Sequence, residues 1–467
     1  MAAADPPPGS FRTGPLLLQQ AALLTDLYQL TMAAAYFREG YREPATFSLF
    51  VRRLPSSRGF LVAAGLEDAL DYLCALHFAP EGLDRLAALG RFDTDFLGHL
   101  AGLRFTGAVR AVPEGTILFA EEPLLEVTAP IIEAQLVETA LLNLVHGPTV
   151  LASKAARVVL AADGRPVAEF GLRRSHGIHA GLVAARSAFL AGCASTSDVL
   201  AGSLYGIPLS GTMAHSYITA FGDELEAFRA YARLFPDSAV LLIDTYDTLE
   251  GARNAATVAG ELEQRGHRLA AVRLDSGNLL ELSIGVRRIL DEAGHPGVRI
   301  FASGGLDEHD LERLLAAGAP VDAFGVGTKL NVSADAPSLD FVYKMVRHRE
   351  SDVLKLSEGK VTWVGRKAVY RSRDSDGRFA GDLLALAEEP APGRAEPLLE
   401  AVMEGGEPVR PHPTLHEIRD RCAAGLAALP AGVRRLRDPE PYPVVPSAAL
   451  RVRQEEATRR ARSPVTR

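Results

Sequence analysis

The chain has 467 residues, of which 47% are hydrophobic and 23% charged, so it can bury a large core and is not disordered as a whole. Its 58 acidic residues outnumber its 50 basic ones, and the net charge of -8 argues against a general nucleic-acid-binding protein. No apolar run approaches the length of about 20 residues that spans a bilayer, and the three cysteines form no metal or disulfide pattern, so we predict a soluble cytoplasmic protein with no membrane partner.

The first part of the chain predicts an N-terminal α+β domain over residues 21–135. Residues 1–20 are rich in Pro and Gly and are expected to form a flexible tail. Apolar residues then recur with helical spacing, and short β-type runs punctuated by Pro and Gly lie between these segments, which favours an antiparallel sheet packed on helices. The predicted helices cover 21–39, 65–100 and 130–160, and the predicted strands cover 45–51, 108–112, 116–120 and 124–128.

The middle of the chain alternates between short apolar runs and helical patterns about every 30 residues, which is typical of a parallel βα sheet. The six apolar runs are 166–170, 207–209, 239–243, 269–274, 298–302 and 321–324. Consecutive units without a reversal of order favour closure into an α/β barrel, in which the loops after the strands build the active site. We therefore predict a barrel domain over 136–348 and a C-terminal segment, 349–467, that packs back on the first domain.

Two glycine-rich loops follow successive strands near the end of this predicted barrel. They are Ser303-Gly304-Gly305 and Gly325-Val326-Gly327-Thr328. Either loop alone is most simply a tight turn. Backbone amides of glycine loops can, however, approach phosphate oxygens closely, and the last loops of such barrels often hold phosphate, so the pair predicts a phosphate site.

Charged residues follow other predicted strands. Arg273 and Asp275 alternate on one face of a strand, which indicates either an anion site, with the carboxylate holding Mg²⁺ or orienting the arginine, or a buried structural ion pair. Asp244 is a candidate for holding a metal ion or orienting a histidine. His215 begins a predicted helix and could act as base, ligand or nucleophile, although a lone histidine is more often structural. The adjacent Arg173 and Arg174 follow a strand and suit a polyanionic ligand, and the alternative is a solvated charged turn.

Together these residues predict a barrel enzyme that acts on a phosphorylated, anionic small molecule with Mg²⁺. Several ordered strings then resemble the nicotinate phosphoribosyltransferase family. They are LLTDLYQLTMAAAYF (23–37), FSLFVRRLP (47–55), EFGLRRSHG (169–177), GTMAHSYITAF (211–221), IDTYDT (243–248), VRLDSGNL (272–279) and AFGVGTKL (323–330).

The resemblance implies a fold, a reaction and an assembly. The fold is the type II phosphoribosyltransferase architecture, an irregular TIM-like α/β barrel with an N-terminal α+β sandwich domain. The enzyme would be an ATP-coupled ligase of NAD salvage that makes nicotinate mononucleotide and pyrophosphate from nicotinate and 5-phosphoribosyl 1-pyrophosphate. It would work as a homodimer with shared active sites.

The resemblance also implies a role for each matched residue. His215 would be the histidine that ATP phosphorylates, while Asp244 and Asp275 would orient it or hold Mg²⁺. The residues implied to contact nicotinate are Tyr28, reaching across the dimer to stack on one face of the ring, with Phe170 on the other face, Thr212 and Arg273. The residues implied to hold phosphates are Arg173, Gly304, Gly305, Gly327 and Thr328.

One departure from the family pattern bears on the choice of base. In Thr196-Ser197-Asp198 the family more often has Asn at the last position, and related nicotinamide enzymes place an Asp nearby. A carboxylate facing the ring would accept an amide N–H and repel nicotinate. Alternatively Asp198 caps a helix or faces away, so nicotinate stays the predicted base. The nearest alternative is a nicotinamide or quinolinate phosphoribosyltransferase on the same fold, and quinolinate, with its second carboxylate, would require more cationic residues around the ring. An aldolase is disfavoured because no Lys ends a middle strand, and a catalytically dead relative is disfavoured by the intact set of site residues.

Overall fold

The structure is a computed structural model that describes residues 21–356 and 362–463. These residues form two compact units. The described chain up to Ser153 and from Ser338 onward makes the first unit, and Lys154–Pro337 makes the second. Within the described ranges, no helix combines the length and the apolar character that crossing a membrane requires.

The limits of the units differ from the predicted domain limits at 136 and 349. The helix Glu138–Ala161 runs through the division at Ser153, because its first half buries residues such as Leu141 and Val145 in the core of the first unit. Residues 341–348, which the predicted barrel domain included, form a strand, Phe341–His348, that pairs with Pro44–Val51 in the first unit. The predicted tail, residues 1–20, lies outside the described residues.

The first unit is built on an antiparallel sheet covered by helices. The strands of this sheet, in pairing order, are Ser351–Asp352, Phe341–His348, Pro44–Val51, Pro123–Pro130, Ala108–Ala111, Glu400–Glu404 and Glu407–Pro408. Two smaller sheets contain Glu396–Pro397, Lys367–Arg373, Phe379–Leu386 and Val444–Pro446, and Leu61–Val62 with Ile117–Leu118. Because Met403 pairs opposite Val109, the C-terminal segment supplies strands to the same sheet as the N-terminal residues.

Helices of the first unit bury apolar side chains against this sheet. They are Leu27–Arg38, Leu66–Cys74, Pro80–Ala88, Thr94–Gly102, Ile131–Leu136, Glu138–Ala161, Leu415–Ala428 and Ala448–Arg462. Leu49, Val127 and Met403 project from three strands into one core and are fully buried there. The helical zone predicted over 65–100 is therefore three helices, each too short to be stable without this packing.

A half-buried ion cluster fastens the C-terminal segment to the helix Leu66–Cys74. His412 contacts Glu67 through Nδ1 and Asp71 through Nε2, the latter at 2.8 Å. These hydrogen bonds, first that to Asp71 and then that to Glu67, raise the pKa of His412 to about 10. The imidazolium is therefore the form that holds the two carboxylates together.

The raised pKa of His412 predicts that stability falls in alkaline solution. The folded protein keeps this proton up to about pH 10, whereas the unfolded chain releases it near pH 6.5. The contribution is thus complete below pH 6.5 and is lost as pH rises through about 10. Between about pH 7 and 9.5, urea denaturation should show the wild type losing about 1–2 kcal/mol more than His412→Gln. Parallel pH dependence in the two proteins would contradict this role.

The second unit contains a curled sheet of parallel strands. Its strands, in pairing order, are Ser195–Thr196, Val167–Glu169, Ala323–Val326, Arg299–Ala302, Ala271–Leu274 and Val240–Leu242. All of these pairings are parallel, and the first strand along the chain, Val167–Glu169, pairs with the last, Ala323–Val326. Among the described residues no ladder joins Ser195–Thr196 to Val240–Leu242, so the sheet is an irregular, incompletely closed barrel, as predicted.

One predicted strand of this barrel is wrong. The run 207–209 contributes only an isolated bridge between Leu209 and Thr196. The edge strand beside Val167–Glu169 is Ser195–Thr196. Helices follow the strands and pack around the sheet. They are Ile178–Leu190, Val199–Tyr205, His215–Phe221, Glu224–Leu234, Thr248–Glu263, Leu279–Glu292, Glu308–Ala316 and Thr328–Asn331. Since every connection returns the chain to a parallel strand, the strand-to-helix loops gather at one end of the sheet.

Candidate active site

A cleft of 570 Å³ opens at the carboxyl ends of the parallel strands in the second unit. Loops after five neighbouring strands form its walls, together with the segment that precedes the helix His215–Phe221. Most of the residues singled out in the sequence line this cleft. They are Phe170, Arg173, Thr212, His215, Arg273, Asp275, Gly304, Gly305, Gly327 and Thr328.

Two of the predicted residues lie elsewhere. Asp244 stands behind the cleft wall, where its Oδ2 accepts hydrogen bonds from the Asp275 amide at 2.9 Å and the Ser276 hydroxyl at 2.6 Å. Its Oδ1 is buried and has no hydrogen-bond partner among the described residues. Tyr28 belongs to the first unit, on the helix Leu27–Arg38, and its side chain is 51% exposed.

Arg273 is the centre of a hydrogen-bond network in the cleft. Its Nη2 donates to Asp275 Oδ1 at 2.6 Å, its Nε to Ser303 Oγ at 2.8 Å, and its Nη1 to Thr212 Oγ1 at 3.2 Å. The side chain is only 14% exposed. The ion pair with a carboxylate is confirmed, and because Arg273 also faces the cleft, the anion site stays a prediction. A guanidinium has five N–H donors, and these contacts leave donors for an anion.

Asp275 is ionised despite its surroundings. Burial alone would raise the pKa of Asp275, but the hydrogen bond from Ser303 and the charge of Arg273 outweigh burial and lower it. The Ser303 hydroxyl lies 2.6 Å from Asp275 Oδ1. Oδ2 of the same carboxylate lies 4.0 Å from His215 Nε2. The cleft thus holds a fixed negative charge between a guanidinium and an imidazole.

Thr245, and not Asp244, contacts His215. His215 Nδ1 and Thr245 Oγ1 are 3.1 Å apart, whereas Asp244 supports the backbone of Asp275. Asp244 therefore does not orient the imidazole directly, and it acts instead on the backbone of Asp275, whose carboxylate faces His215. The His215 side chain is 44% exposed at the start of its helix, so the ring is accessible to a ligand in the cleft.

Phe170 gives the cleft an aromatic wall. Its ring centre lies 5.7 Å from that of Phe301, and the Arg273 guanidinium carbon lies 5.7 Å from the Phe170 ring centre. A Cβ at position 325 would come within 2.8 Å of the Phe170 ring, so Gly325 makes the space that this ring occupies. A flat ring with a negative substituent therefore meets a stacking surface and a cation side by side.

The loop after the strand Arg299–Ala302 packs directly against Asp275. Gly304 has a φ of +100°, and a Cβ there would overlap the Asp275 carbonyl oxygen. Gly305 has a φ of +69° but has open space where a Cβ would lie. Close packing of the two neighbouring strand ends therefore depends on Gly304 in particular.

Asp198 does not face the cleft. Its side chain is buried and caps the helix Val199–Tyr205, accepting hydrogen bonds from the amides of Leu200 at 3.0 Å and Ala201 at 3.1 Å. Its neighbour Ser197 lines the cleft instead. The departure from the family pattern thus has a capping role, and the carboxylate is not placed to repel a carboxylated ring.

Comparisons with known proteins agree with this arrangement. Residues 23–146 match the family model of the nicotinate phosphoribosyltransferase N-terminal domain, and residues 391–452 match that of the C-terminal domain. A nicotinate phosphoribosyltransferase of Mycobacterium tuberculosis is 50% identical over 428 residues, which cover 91% of this chain and 91% of that protein. The chain belongs to the nicotinate phosphoribosyltransferase family.

Solved structures extend the family likeness to the fold. The crystal structure of human nicotinic acid phosphoribosyltransferase matches with a TM-score of 0.83 and 34% identity, covering 92% of this chain and 99% of that one. A nicotinate-nucleotide pyrophosphorylase from Pyrococcus furiosus matches with a TM-score of 0.73 and 28% identity, covering 89% and 97%. The predicted α/β architecture, an irregular barrel joined to an N-terminal domain, is confirmed.

The nicotinate phosphoribosyltransferase motifs led to the strand ends but missed some side chains there. Ser303 and Thr245 received no role from the sequence, although each adjoins a residue that did. Arg174, noted with Arg173 in the sequence, does line the cleft beside it. Ser303 directly follows an apolar run and Thr245 lies one residue further on, a pattern too common by itself to assign a contact.

The carboxylates Asp244 and Asp275 fit Mg²⁺. Among the described residues no group of three or more His, Cys, Asp or Glu side chains could hold a metal ion alone. Mg²⁺, however, commonly uses one or two protein carboxylates and completes its shell with water and substrate phosphates. The buried, unpartnered Oδ1 of Asp244 is the atom that most needs such a ligand.

Proposed function

We propose that the chain transfers a phosphoribosyl group from 5-phosphoribosyl 1-pyrophosphate to nicotinate, in the salvage route to NAD. The observation that supports this proposal best is the neighbourhood of Arg273. A guanidinium, an aromatic ring and two glycine loops share one cleft. Nicotinate offers a flat ring and a carboxylate, and phosphoribosyl pyrophosphate offers several phosphates, so the chemical groups of the two substrates correspond to those of the cleft.

Nicotinate would bind at the inner wall of the cleft. The remaining N–H donors of Arg273 would bind its carboxylate, with Thr212 beside it, and Phe170 would stack on one face of the pyridine ring. Tyr28 is proposed to cover the other face from a second copy of the chain in a homodimer. Its exposed side chain is available for that contact. This arrangement would leave the ring nitrogen directed at the sugar.

Phosphoribosyl pyrophosphate would bind along the glycine loops. Amides of Gly304, Gly305 and Gly327, with the Thr328 hydroxyl and Arg173, would hold its phosphates. The C1–O bond to pyrophosphate breaks while the pyridine nitrogen forms the new N–C1 bond. Positive charge grows on the sugar carbon in that step, and the ionised Asp275 lowers its energy. Mg²⁺, held by Asp244 and Asp275, would neutralise charge on the departing pyrophosphate.

ATP would act as a co-substrate through His215. The ring is accessible, and the contact of Nδ1 with Thr245 orients it and leaves Nε2 towards the cleft. Phosphorylation moves the γ-phosphoryl group of ATP to the imidazole and releases ADP, and hydrolysis of phosphohistidine returns phosphate. We propose that this cycle couples ATP to tighter substrate binding, which would make the enzyme an ATP-coupled ligase of the cytoplasm.

The choice of base is the sharpest test of this function. With phosphoribosyl pyrophosphate, we expect kcat/KM for nicotinate to exceed that for nicotinamide or quinolinate by at least about 100-fold, because Arg273 needs a carboxylate and Asp198 is turned away. Chromatography of the mononucleotide products measures this. ATP should raise the rate, and His215→Ala should abolish that stimulation while some ATP-independent transfer survives.

Two results would overturn parts of this proposal separately. A preference for nicotinamide or quinolinate would replace the proposed base while keeping the phosphoribosyl transfer. Unchanged ATP stimulation in His215→Ala would remove the phosphohistidine, as would failure of labelled ATP to mark the wild-type protein at that residue.

A further inference from the structure

The short helix Thr328–Asn331 follows the second proposed phosphate loop and carries a lysine that contacts the start of the helix after the first loop. Its first residue, Thr328, lines the cleft after Gly327. The next residue, Lys329, donates to Asp307 Oδ2 at 2.8 Å and to Asp310 Oδ2 at 3.0 Å. Those two aspartates begin the helix that directly follows Gly304 and Gly305, so one lysine joins the two loops.

Asp307 has two oxygens with two tasks. Oδ1 accepts hydrogen bonds from the amides of His309 and Asp310, both at 3.0 Å, and so caps the helix Glu308–Ala316. Oδ2 binds Lys329. Burial alone would raise its pKa, but the hydrogen bond from Lys329 and that of the Asp310 amide lower the pKa of Asp307 to about 2. Lys329 therefore holds the residue that defines where this helix starts.

The start of that helix is itself held from the interior. Glu308 is fully buried and accepts from Lys154 Nζ at 2.5 Å and Arg157 Nε at 3.0 Å. Lys154 also pairs with Asp335 at 2.8 Å. Because buried charges are costly to separate, this end of the helix is a rigid point. The ion pairs of Lys329 thus attach the loop 325–328 to the start of the helix Glu308–Ala316.

The ion pairs of Lys329 matter more for the positions of the two loops than for the stability of the fold. The Lys329 side chain is 40% exposed, and ion pairs at such positions contribute little to folding. Two loops that grip phosphates of one ligand must, however, stand at a set distance, and an error of about 1 Å can cost about 100-fold in rate. Arg273 is hydrogen-bonded to Ser303 of the first loop and to Thr212, so these nicotinate contacts stay with the first loop and do not depend on where the second loop, 325–328, stands.

We infer that Lys329, through its ion pairs with Asp307 and Asp310, is a positioning residue that sets the distance between the two phosphate loops and thereby the affinity for phosphoribosyl pyrophosphate. This inference rests on the proposed function. Lys329 acts through its partners and does not itself touch the substrate.

The test compares single and multiple variants by steady-state kinetics. Lys329→Met and the double variant Asp307→Asn/Asp310→Asn should each raise KM for phosphoribosyl pyrophosphate about tenfold, and the triple variant should be no worse than either, since both remove the same two ion pairs. Asn at 307 and 310 keeps an oxygen for the capping contacts and removes the charges that bind Lys329. KM for nicotinate and kcat should change less than about twofold, and Lys329→Arg should restore most of the affinity.

A matched control removes a positive charge from the helix Glu308–Ala316 and leaves the ion pairs of Lys329 in place. Arg313 pairs with the other oxygen of Asp310 at 2.8 Å and is 72% exposed. Arg313→Met should leave KM for phosphoribosyl pyrophosphate unchanged. A similar rise in KM there would point to general electrostatic attraction and would overturn the inference.

Other outcomes are equally decisive. If Lys329→Met raises KM and Asp307→Asn/Asp310→Asn does not, Lys329 binds the substrate directly and the positioning role is wrong. Variants that match the wild type in every constant would refute the inference alone. A wild-type protein that binds no phosphoribosyl pyrophosphate in calorimetry would refute the proposed function, and this inference with it.

Discussion

Arg273→Ala should lower kcat/KM for nicotinate by about 100- to 1,000-fold, the largest catalytic effect that we expect from a single side chain in the cleft. The substitution removes the proposed partner of the nicotinate carboxylate, and losing one member of a desolvated charge pair costs about 2–5 kcal/mol. For nicotinamide, which has no carboxylate, the loss should be much smaller. The measured quantity is the ratio of kcat/KM for the two bases.

That ratio separates a binding role of Arg273 from a structural one. The substitution also removes the hydrogen bonds that Arg273 donates to Asp275 and Ser303, which affects both bases alike. Arg273→Lys keeps the charge but cannot form the same fork, so we expect an intermediate loss for nicotinate. Equal losses for the two bases in both variants would show that Arg273 only supports Asp275.

The barrel was predictable because its strands carry a local signal. Five of the six apolar runs correspond to described parallel strands, since a strand buried on both faces must be apolar along its length. The exception is the apolar run 207–209, which forms only an isolated bridge. Ser195–Thr196 has no apolar run, and it becomes a strand only by pairing with Val167–Glu169, a contact that local pattern does not contain.

The first unit was less predictable because its sheet joins distant parts of the chain. Pairing of Glu400–Glu404 with Ala108–Ala111 depends on tertiary packing, and the segment before it is rich in Pro, Glu and Gly. The sequence predicted that the C-terminal segment would return to the first domain. It did not show that this segment would extend the sheet.

In the candidate site, positions were easier to predict than contacts. Parallel strands end together, so polar residues after the runs had to meet at one edge. Which atoms are in contact depends on side-chain rotamers and on loop conformations, which the sequence pattern does not predict. This is why Thr245 took the contact with His215 expected of Asp244, and why Asp198 proved to be a helix cap. The stacking role of Tyr28 stays a prediction.

Gly304→Ala should disrupt the cleft more than any other single-methyl change to its loops. The added Cβ would overlap the carbonyl oxygen of Asp275, a backbone atom that cannot move without shifting the end of the strand Ala271–Leu274. The φ of +100° adds strain for any residue with a side chain. We expect the free energy of unfolding to fall by about 3–5 kcal/mol and activity to fall below about 1%.

Gly305→Ala is the matched control for this effect. Its φ of +69° is left-handed too, but nothing lies within 4 Å of the added Cβ. The cost should be limited to the left-handed conformation, about 1 kcal/mol in urea denaturation. Activity should remain within about tenfold of the wild type. If the two variants lost equal stability, backbone conformation alone would explain both glycines. A large difference would show that the glycine loop and Asp275 are packed as one unit, so that the proposed phosphate site cannot shift without moving the carboxylate beside the reacting sugar.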